Sequence, residues 1–222
     1  MKHRVIDCHH AALTRDRLPT CSDIAGIRPF VLEWLRHESE LVVGAGAIVR
    51  PGLLADQPRR LEWWSYPERG SVPVFLEVDL DPDSLDFYDY AGAEWFCLPE
   101  RTGRRHITGP HVDFGGTDRY ILTFTLPVFS EGRFLGVVGA DVPAARLESR
   151  LLPVLIGMDH EAALLNTELR VIASNSPRQL SGALFSGPAG SEHTLPGSPW
   201  RLFCVQGPAL RTARPASAPE PT

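Results

Sequence analysis

The chain lacks any hydrophobic run long enough to cross a membrane. Its longest apolar stretches, such as ILTFTLPVF at 121–129, fall far short of the roughly 20 residues that a spanning helix needs. The first 20 residues interleave charged and apolar side chains and lack the apolar core of a secretory signal peptide. We therefore expect a soluble, cytoplasmic protein with no membrane partner.

Positive charge is also scarce, because 22 Lys and Arg stand against 27 Asp and Glu, which gives a net charge of −5. Such a chain has no diffuse positive field to attract nucleic acid or anionic lipid. This excludes a nucleic-acid-binding role.

Cysteine is sparse and contains no CxxC pair, which argues against zinc knuckles and against a dense disulfide framework. The four cysteines are Cys8, Cys21, Cys97 and Cys204. The stretch DCHH at 7–10 has no partner motif and is more typical of a polar turn than of a metal site. Phosphate-binding loops and nucleophile elbows are missing too. We predict no cofactor, no metal and no catalytic residue.

The first half of the chain contains one helical pattern followed by strand patterns. Apolar residues at helical spacing predict an amphipathic helix from Pro29 to Val43. LEWWSY and VPVFLEVDL are rich in β-branched and aromatic residues and predict strands. DPDSLDFYDYAGAEWF predicts a short helix capped by Asp81 or Asp83. That helix would carry Tyr88, Tyr90 and Trp95.

The second half begins with the clearest local pattern. RYILTFTLPVF and GRFLGVVGADV are joined by SEG, which predicts an antiparallel hairpin. PAARLESRLLPVLI predicts a helix, EAALLNTELRVIASN a strand, turn and strand, and PWRLFCVQ a last strand. The Pro- and Ala-rich end predicts disorder. We divide the chain into an N-terminal segment 1–27, a ligand-binding module 28–150, a smaller module 151–206 and a disordered tail 207–222.

The order of YDYAGAEWF, ITGPHVD and GRFLGVVGADV resembles the Cache family of PAS-like sensor domains over roughly residues 28–206. The resemblance implies an α+β fold, with a PAS-like antiparallel sheet flanked by a long N-terminal helix and a second, smaller, partial PAS-like module. It also implies a small-molecule sensor that is not an enzyme.

The resemblance implies a pocket as well. In double-Cache members that bind amino acids, the motif is Tyr, four residues, Arg, one residue, Trp and Tyr, followed later by Tyr-x-Asp and a final Asp. This chain retains Tyr88, Trp95, Asp113 and Asp141. It departs from the motif at Ala93 in place of Arg, at Phe96 in place of the second Tyr, and at His111 in place of the Tyr of Tyr-x-Asp. The implied ligand-binding residues are Tyr88, Trp95, Phe96, His111, Asp113 and Asp141.

The retained and lost residues together predict a cationic ligand. Ala93 cannot clamp a carboxylate as Arg does, whereas two carboxylates can balance an ammonium group and aromatic faces attract amines and quaternary ammonium groups. We predict a stand-alone sensor for a small amine or quaternary ammonium compound. Signalling would use a homodimer formed through the helix around Trp34, or a separate regulatory protein, because the sequence contains no output domain.

Three alternatives stay open. His111, Asp113 and His160, with Arg170, have the spacing of an iron and 2-oxoglutarate oxygenase, although a hairpin and a helix fill the interval where a jelly roll needs strands. The aromatic residues could instead be core, with Asp113 capping a turn and Asp141 capping the next helix. A non-catalytic accessory or structural subunit is the third. The identity of the ligand and the partner is not fixed by the sequence.

Overall fold

The computed structural model describes residues 1–68 and 70–205. The chain divides into two compact units, Met1–Leu147 (unit 1) and a second that begins at Glu148 (unit 2). Within the described residues, no helix combines the length and the apolar character that crossing a bilayer requires. The predicted disordered tail, 207–222, lies outside the described residues.

Unit 1 begins with three helices: α1 Lys2–Leu13, α2 Cys21–Ala25 and α3 Arg28–His37. Helix α2 starts with a capping box between Thr20 and Asp23. The predicted polar turn at 7–10 is wrong, because these residues lie within α1. The predicted helix from Pro29 to Val43 ends earlier, at His37. Its last residues are drawn into the sheet, where the N–H of Val43 donates to the carbonyl of Asp141 at 2.9 Å.

The sheet of unit 1 is antiparallel throughout. Its strands are β1 Gly44–Val49, β2 Arg60–Ser65, β3 Val74–Phe75, β4 His106–Val112, β5 Tyr120–Ser130 and β6 Arg133–Pro143. They lie in the order β3-β2-β1-β6-β5-β4. The hairpin predicted from the sequence is β5 and β6, and the predicted α+β fold with an antiparallel sheet is confirmed.

The two faces of this sheet are covered differently. On one face, Val138 and Val142 of β6 share a core with Val31 and Leu35 of α3. On the other face, Val137 packs with aromatic residues of helix α4, which spans Glu94–Thr102. Val31 and Leu35 of α3 are buried in their own unit, whereas Phe30 is 38 % exposed and Trp34 is only partly buried, so burial of this helix neither requires nor opposes a homodimer. The homodimer itself stays a prediction.

The segment between β3 and α4 differs most from the sequence-based expectation. The predicted strand VPVFLEVDL is reduced to the two residues of β3, and the predicted helix begins only at Glu94. Local hydrogen bonds explain this: the Asp79 carboxylate accepts the N–H of Asp81, and the Asp81 carboxylate accepts the N–H of Asp83. Such bonds compete with helix and strand hydrogen bonding. The segment therefore forms turns, and these turns place Tyr88 and Tyr90 ahead of α4.

Helix α5, Ala144–Ile156, leads from unit 1 into unit 2. The strands of unit 2 are β7 Ala162–Leu165, β8 Val171–Ser174, β9 Gly190–Thr194 and β10 Arg201–Val205, in the order β8-β7-β10-β9. All their pairings are antiparallel. Helix α5 and strands β7, β8 and β10 match the predicted elements. Strand β9, GSEHT, was not predicted because it has no apolar alternation.

Candidate functional site

Neighbouring strands place two polar side chains on the α4 side of the sheet. Asp141 of β6 pairs in register with Thr123 of β5, and the Thr123 hydroxyl donates to Asp141 Oδ1 at 2.8 Å. Asp141 is only 4 % exposed. Both side chains line a cavity of about 20 Å³, which we call the chamber. Its lining residues are Ile48, Leu61, Trp63, Leu76, Tyr88, Trp95, Asp113, Thr123 and Asp141.

Asp113, just beyond the end of β4, is the second carboxylate of the chamber and is 8 % exposed. Its Oδ1 accepts the Tyr88 hydroxyl at 3.0 Å. Its Oδ2 accepts the N–H and the hydroxyl of Thr117 at 2.7 and 2.9 Å. A Cβ at Gly116 would lie 2.3 Å from Oδ2, so a larger residue there would force the Asp113 carboxylate to move from this position. Asp113 therefore caps a turn and faces the chamber at once.

The aromatic wall of the chamber comes from the start of α4. Trp95 is 7 % exposed and stands edge-to-face with Phe96, with ring centroids 6.2 Å apart. Phe96 is fully buried against Tyr90 and Phe134. It lines neither the chamber nor the groove described below. Phe96 supports Trp95 from behind and does not present a surface to a ligand.

Burial dominates the electrostatics of the chamber. The pKa of Asp141 is raised to about 8, mainly by removal from water and next by the nearby charge of Asp113, while Thr123 and the neighbouring Trp63 indole act in the opposite direction. The same two causes, burial and Asp113, raise the pKa of the Tyr88 hydroxyl. The buried Nε1 of Trp63 makes no hydrogen bond of normal geometry within the described residues. The chamber thus contains one carboxyl that is mostly protonated at neutral pH.

A larger cavity of about 610 Å³, which we call the groove, shares Tyr88, Trp95 and Asp113 with the chamber. Four further carboxylates line it: Glu77, Asp79, Asp86 and Asp89. Ala93 and His111 also line it. Burial lowers the pKa of His111, and its Nδ1 is buried without a hydrogen-bond partner in the described part of the chain. Among the described residues, neither Lys nor Arg lines the groove.

The structure brings five of the six predicted ligand-binding residues together. Tyr88, Trp95, Asp113 and Asp141 line the chamber, and His111 lines the groove, whereas Phe96 lies behind the wall. Asp141 does not cap α5, as one alternative expected, because its side chain bonds to Thr123. Sequence reasoning missed the chamber residues Ile48, Leu61, Trp63, Leu76 and Thr123. A usable signal existed for Thr123, a polar residue inside an apolar strand.

The oxygenase alternative does not fit this fold. It required a double-stranded β-helix, whereas His111 and Asp113 lie at the end of an edge strand of a six-stranded antiparallel sheet. Across residues 1–68 and 70–205, no group of three or more His, Cys, Asp or Glu side chains is arranged to hold a metal ion.

Comparison with known proteins identifies the fold. Residues 31–149 match the family described as methyl-accepting chemotaxis protein-like, first PDC sensor domain. Methyl-accepting chemotaxis protein X is 17 % identical over 92 % of this chain and 91 % of its own, with a TM-score of 0.61. The sensory domain of the Campylobacter jejuni chemoreceptor Tlp3 is 14 % identical over 89 % of this chain and 82 % of its own, with a TM-score of 0.54.

The ligand-binding domain of Tlp3 has also been solved in complex with L-valine, and this structure is 14 % identical over the same shares, with a TM-score of 0.53. At these identities the structural likeness shows the fold alone. No curated protein matches the sequence. The family match covers more than half of the chain, and the solved sensor domains have the Cache-type architecture that the sequence motifs predicted. The chain therefore belongs to the methyl-accepting chemotaxis protein-like family of first PDC sensor domains.

Proposed function

We propose that unit 1 senses a small primary ammonium compound, held between Asp113 and Asp141. The observation that carries the proposal is that two buried carboxylates line one chamber with no basic side chain in its lining. Two carboxylates enclosed in this way are mutually unfavourable unless a proton or a cation balances them. An ammonium group supplies that balance.

Hydrogen-bonding capacity supports the same ligand. An ammonium group has three donors, and a carboxylate has about four acceptor sites. Asp141 Oδ1 accepts one hydrogen bond from Thr123, and Asp113 accepts three from Tyr88 and Thr117. Acceptor capacity remains on both carboxylates, so two of the three ammonium donors can be satisfied without breaking a bond of the site. Trp95 also lines the chamber, and an aromatic ring attracts a cation that lies over its face.

The size of the chamber narrows the class of ligand. A cavity of about 20 Å³ holds about one water molecule, which is close to the size of an –NH₃⁺ group. A trimethylammonium head is several times larger and would have to displace Trp95 or Tyr88. We therefore propose a primary amine and drop the quaternary ammonium compounds that the sequence left open.

The position of Ala93 separates this proposal from amino-acid sensing. Tlp3 has been solved in complex with L-valine, which carries both an amine and a carboxylate. In this chain Ala93 lines the groove where the amino-acid-binding motif carries Arg, and the groove is acidic. We propose that the ligand has no carboxylate next to its amine.

A matched set of four-carbon probes tests the proposal. We expect n-butylamine to raise the melting temperature of the protein, because a ligand at 100 times its Kd adds about 2.7 kcal/mol to the free energy of unfolding. Butyrate is expected to give no shift, and each added N-methyl group is expected to reduce the shift. Stabilisation by butyrate, or a larger shift with butyltrimethylammonium than with n-butylamine, would refute the primary-amine site.

Trp95 offers a test of the aromatic wall. Trp95→Ala is expected to weaken n-butylamine binding by about 1 to 3 kcal/mol, because it removes both packing and cation–π attraction. Trp95→Leu keeps much of the apolar volume and should recover only the packing part. Calorimetric titration of both variants gives the difference. Equal affinity of Trp95→Leu and the unmodified protein would show that the ring does not contact the cation.

The output is proposed to pass through a partner, which is either a second copy of the chain or a separate regulatory protein. Val31 and Leu35 of α3 are buried in the core of unit 1, which leaves Phe30 and Trp34 as the apolar residues of this helix that a partner could contact. A cytoplasmic location also stays a prediction from the sequence.

A further inference from the structure

We infer that the packing of helix α1 is pH-sensitive: the helix lies against the β5–β6 hairpin at neutral pH and detaches when His9 takes up a proton in mildly acidic solution. This inference does not depend on the amine site, because His9 lines neither the chamber nor the groove. It gives unit 1 a second input, which is the pH of its surroundings.

The buried face of α1 has a histidine at its centre. Val5, His9 and Ala12 are the buried residues of this helix, at a spacing that places them on one face. Val5 belongs to the same core as Val128 of β5 and Leu135 of β6. His9 is only 4 % exposed. The imidazole therefore lies within the contact that fixes the position of the helix.

The imidazole of His9 has no hydrogen-bond partner in this position. Both ring nitrogens, Nδ1 and Nε2, are buried, and neither makes a hydrogen bond within residues 1–68 and 70–205. A protonated ring would place two donors and a charge there, and burial of an uncompensated charge costs much more than burial of a neutral polar group. The packed helix therefore strongly favours the neutral ring.

The charged groups of α1 and of the hairpin do not balance a proton on His9. Burial lowers the pKa of His9 most, the neighbouring His10 and then Arg133 act in the same direction, and Glu131 opposes them. Glu131 and Arg133 are both exposed at the tip of the hairpin, where water screens them. Glu131 makes no hydrogen bond to the buried ring.

Helix α2, which also packs against α1, offers no acceptor to His9 either. Its one acidic residue, Asp23, accepts two hydrogen bonds from the guanidinium of Arg17, at 2.6 and 2.8 Å, and one from the hydroxyl of Thr20 at 2.8 Å. The bonds from Arg17, and then those from Thr20, lower the pKa of Asp23. Asp23 thus stays ionised and engaged in mildly acidic solution.

His10 makes a second contact between α1 and the hairpin, and this contact is compatible with either protonation state. The Nε2 atom of His10 lies 2.6 Å from the hydroxyl oxygen of Ser130. A hydroxyl can donate or accept a hydrogen bond, so the bond can be kept when the His10 ring is neutral and when it is charged. The pH dependence of the packing is therefore assigned to His9.

The direction of the effect follows from the lowered pKa of His9 in the packed state. In a detached helix the ring would have its ordinary pKa of about 6.5, so the detached state binds the proton more readily than the packed state. Above this pH both states are neutral and the packing is unaffected. Below it, and down to the lowered pKa of the packed state, the ratio of detached to packed helix rises by about tenfold per pH unit.

Hydrogen–deuterium exchange of the full chain, read by mass spectrometry of α1 peptides, tests the inference. After correction for the intrinsic pH dependence of exchange, we expect the protection of α1 to fall by roughly tenfold from about pH 7.5 to about pH 5.5, while β5 and β6 stay protected. His9→Leu fills the same buried position without a titrating group and is expected to keep α1 protected at both pH values. His3→Gln is the matched control, because His3 is an exposed histidine of the same helix, and it should behave as the unmodified protein.

Two results of this experiment would overturn the inference. One is an unmodified protein whose α1 stays as protected in acid as at neutral pH, and the other is a His9→Leu variant that loses the protection in acid to the same extent. If His9→Leu already loosens α1 at neutral pH, NMR titration of the His9 ring in the unmodified protein decides the matter. The ring is expected to titrate below the ordinary value of about 6.5, and a midpoint at or above that value would show that the packing does not oppose protonation.

Discussion

Asp141→Asn is expected to weaken n-butylamine binding by on the order of 2 to 4 kcal/mol, because it removes one of the two charges that balance a buried ammonium group. The same substitution is expected to stabilise the ligand-free protein at neutral pH. Asparagine keeps an oxygen that can accept the Thr123 hydroxyl, and it has no charge to desolvate. On the proposed function, Asp141 lowers the stability of the ligand-free protein, and a bound cation would offset this cost.

The sign of the stability effect follows from the pKa of Asp141. Burial raises this pKa from 3.8 to about 8, so the folded state binds the proton more tightly than the unfolded state. The stabilising contribution of the group is fully present below the unfolded pKa and is lost as pH rises through about 8. Asp141→Asn removes this dependence. We expect it to raise the free energy of unfolding by on the order of 1 to 3 kcal/mol near neutral pH.

Thermal unfolding of both proteins as a function of pH measures this effect, and 1 kcal/mol corresponds to a shift in Tm of roughly 2 to 4 °C at this size. The advantage of Asp141→Asn should grow steadily from acidic to mildly basic pH. Asp159→Asn, which removes the same charge at an exposed position of unit 2, serves as the control and should show little effect. A variant less stable than the unmodified protein at neutral pH would mean that Asp141 is ionised and stabilising in the ligand-free state.

The affinity for n-butylamine is expected to rise about tenfold per pH unit below the pKa of Asp141. The pKa of Asp141 is about 8 without ligand, and a cation in the chamber favours its ionised form. Binding therefore releases close to one proton in this range. An alkylamine stays protonated throughout this pH range, because its pKa is close to the value of about 10.4 for lysine. The change of affinity with pH therefore reflects titration of the protein and not of the ligand.

Titration calorimetry in two buffers with different ionisation enthalpies counts the proton directly. Asp141→Asn should release none and should show a flat affinity over the same pH range. An affinity of the unmodified protein that is independent of pH, or that falls as pH rises, would contradict the coupling between Asp141 and the cation.

Local patterns were sufficient to predict much of the fold. The hairpin of β5 and β6 was predicted because two long apolar runs are joined by SEG, and α5 was predicted from its apolar spacing. Strand β4 was missed, since Gly109 and Pro110 interrupt its sequence and its register with β5 shifts between Thr108 and His111. Helix α1 was missed because its histidines were interpreted as a polar turn. These elements depend on contacts with distant strands that no local pattern encodes.

The candidate site was only partly predicted, because some of its residues come together through long-range strand pairing and not through local spacing. Tyr88, Trp95, Asp113 and Asp141 were found through spacing that resembles a family motif, and the structure places all four around one chamber. Trp63 and Thr123 reach the same chamber only through the pairing of β2, β1, β6 and β5. The acidic lining of the groove needs the turns at 77–90, which the sequence predicted as strand and helix. The position of Phe96 behind Trp95 likewise follows from packing and not from spacing.

A crystal structure with para-bromobenzylamine bound tests the central claim most directly. The anomalous signal of the bromine locates the body of the ligand, and the density locates its nitrogen. The account predicts that the nitrogen lies in the chamber within hydrogen-bond distance of Asp113 and Asp141, with the ring in the groove beside Trp95. A nitrogen bound elsewhere on the protein, with the chamber carboxylates uncontacted, would contradict it.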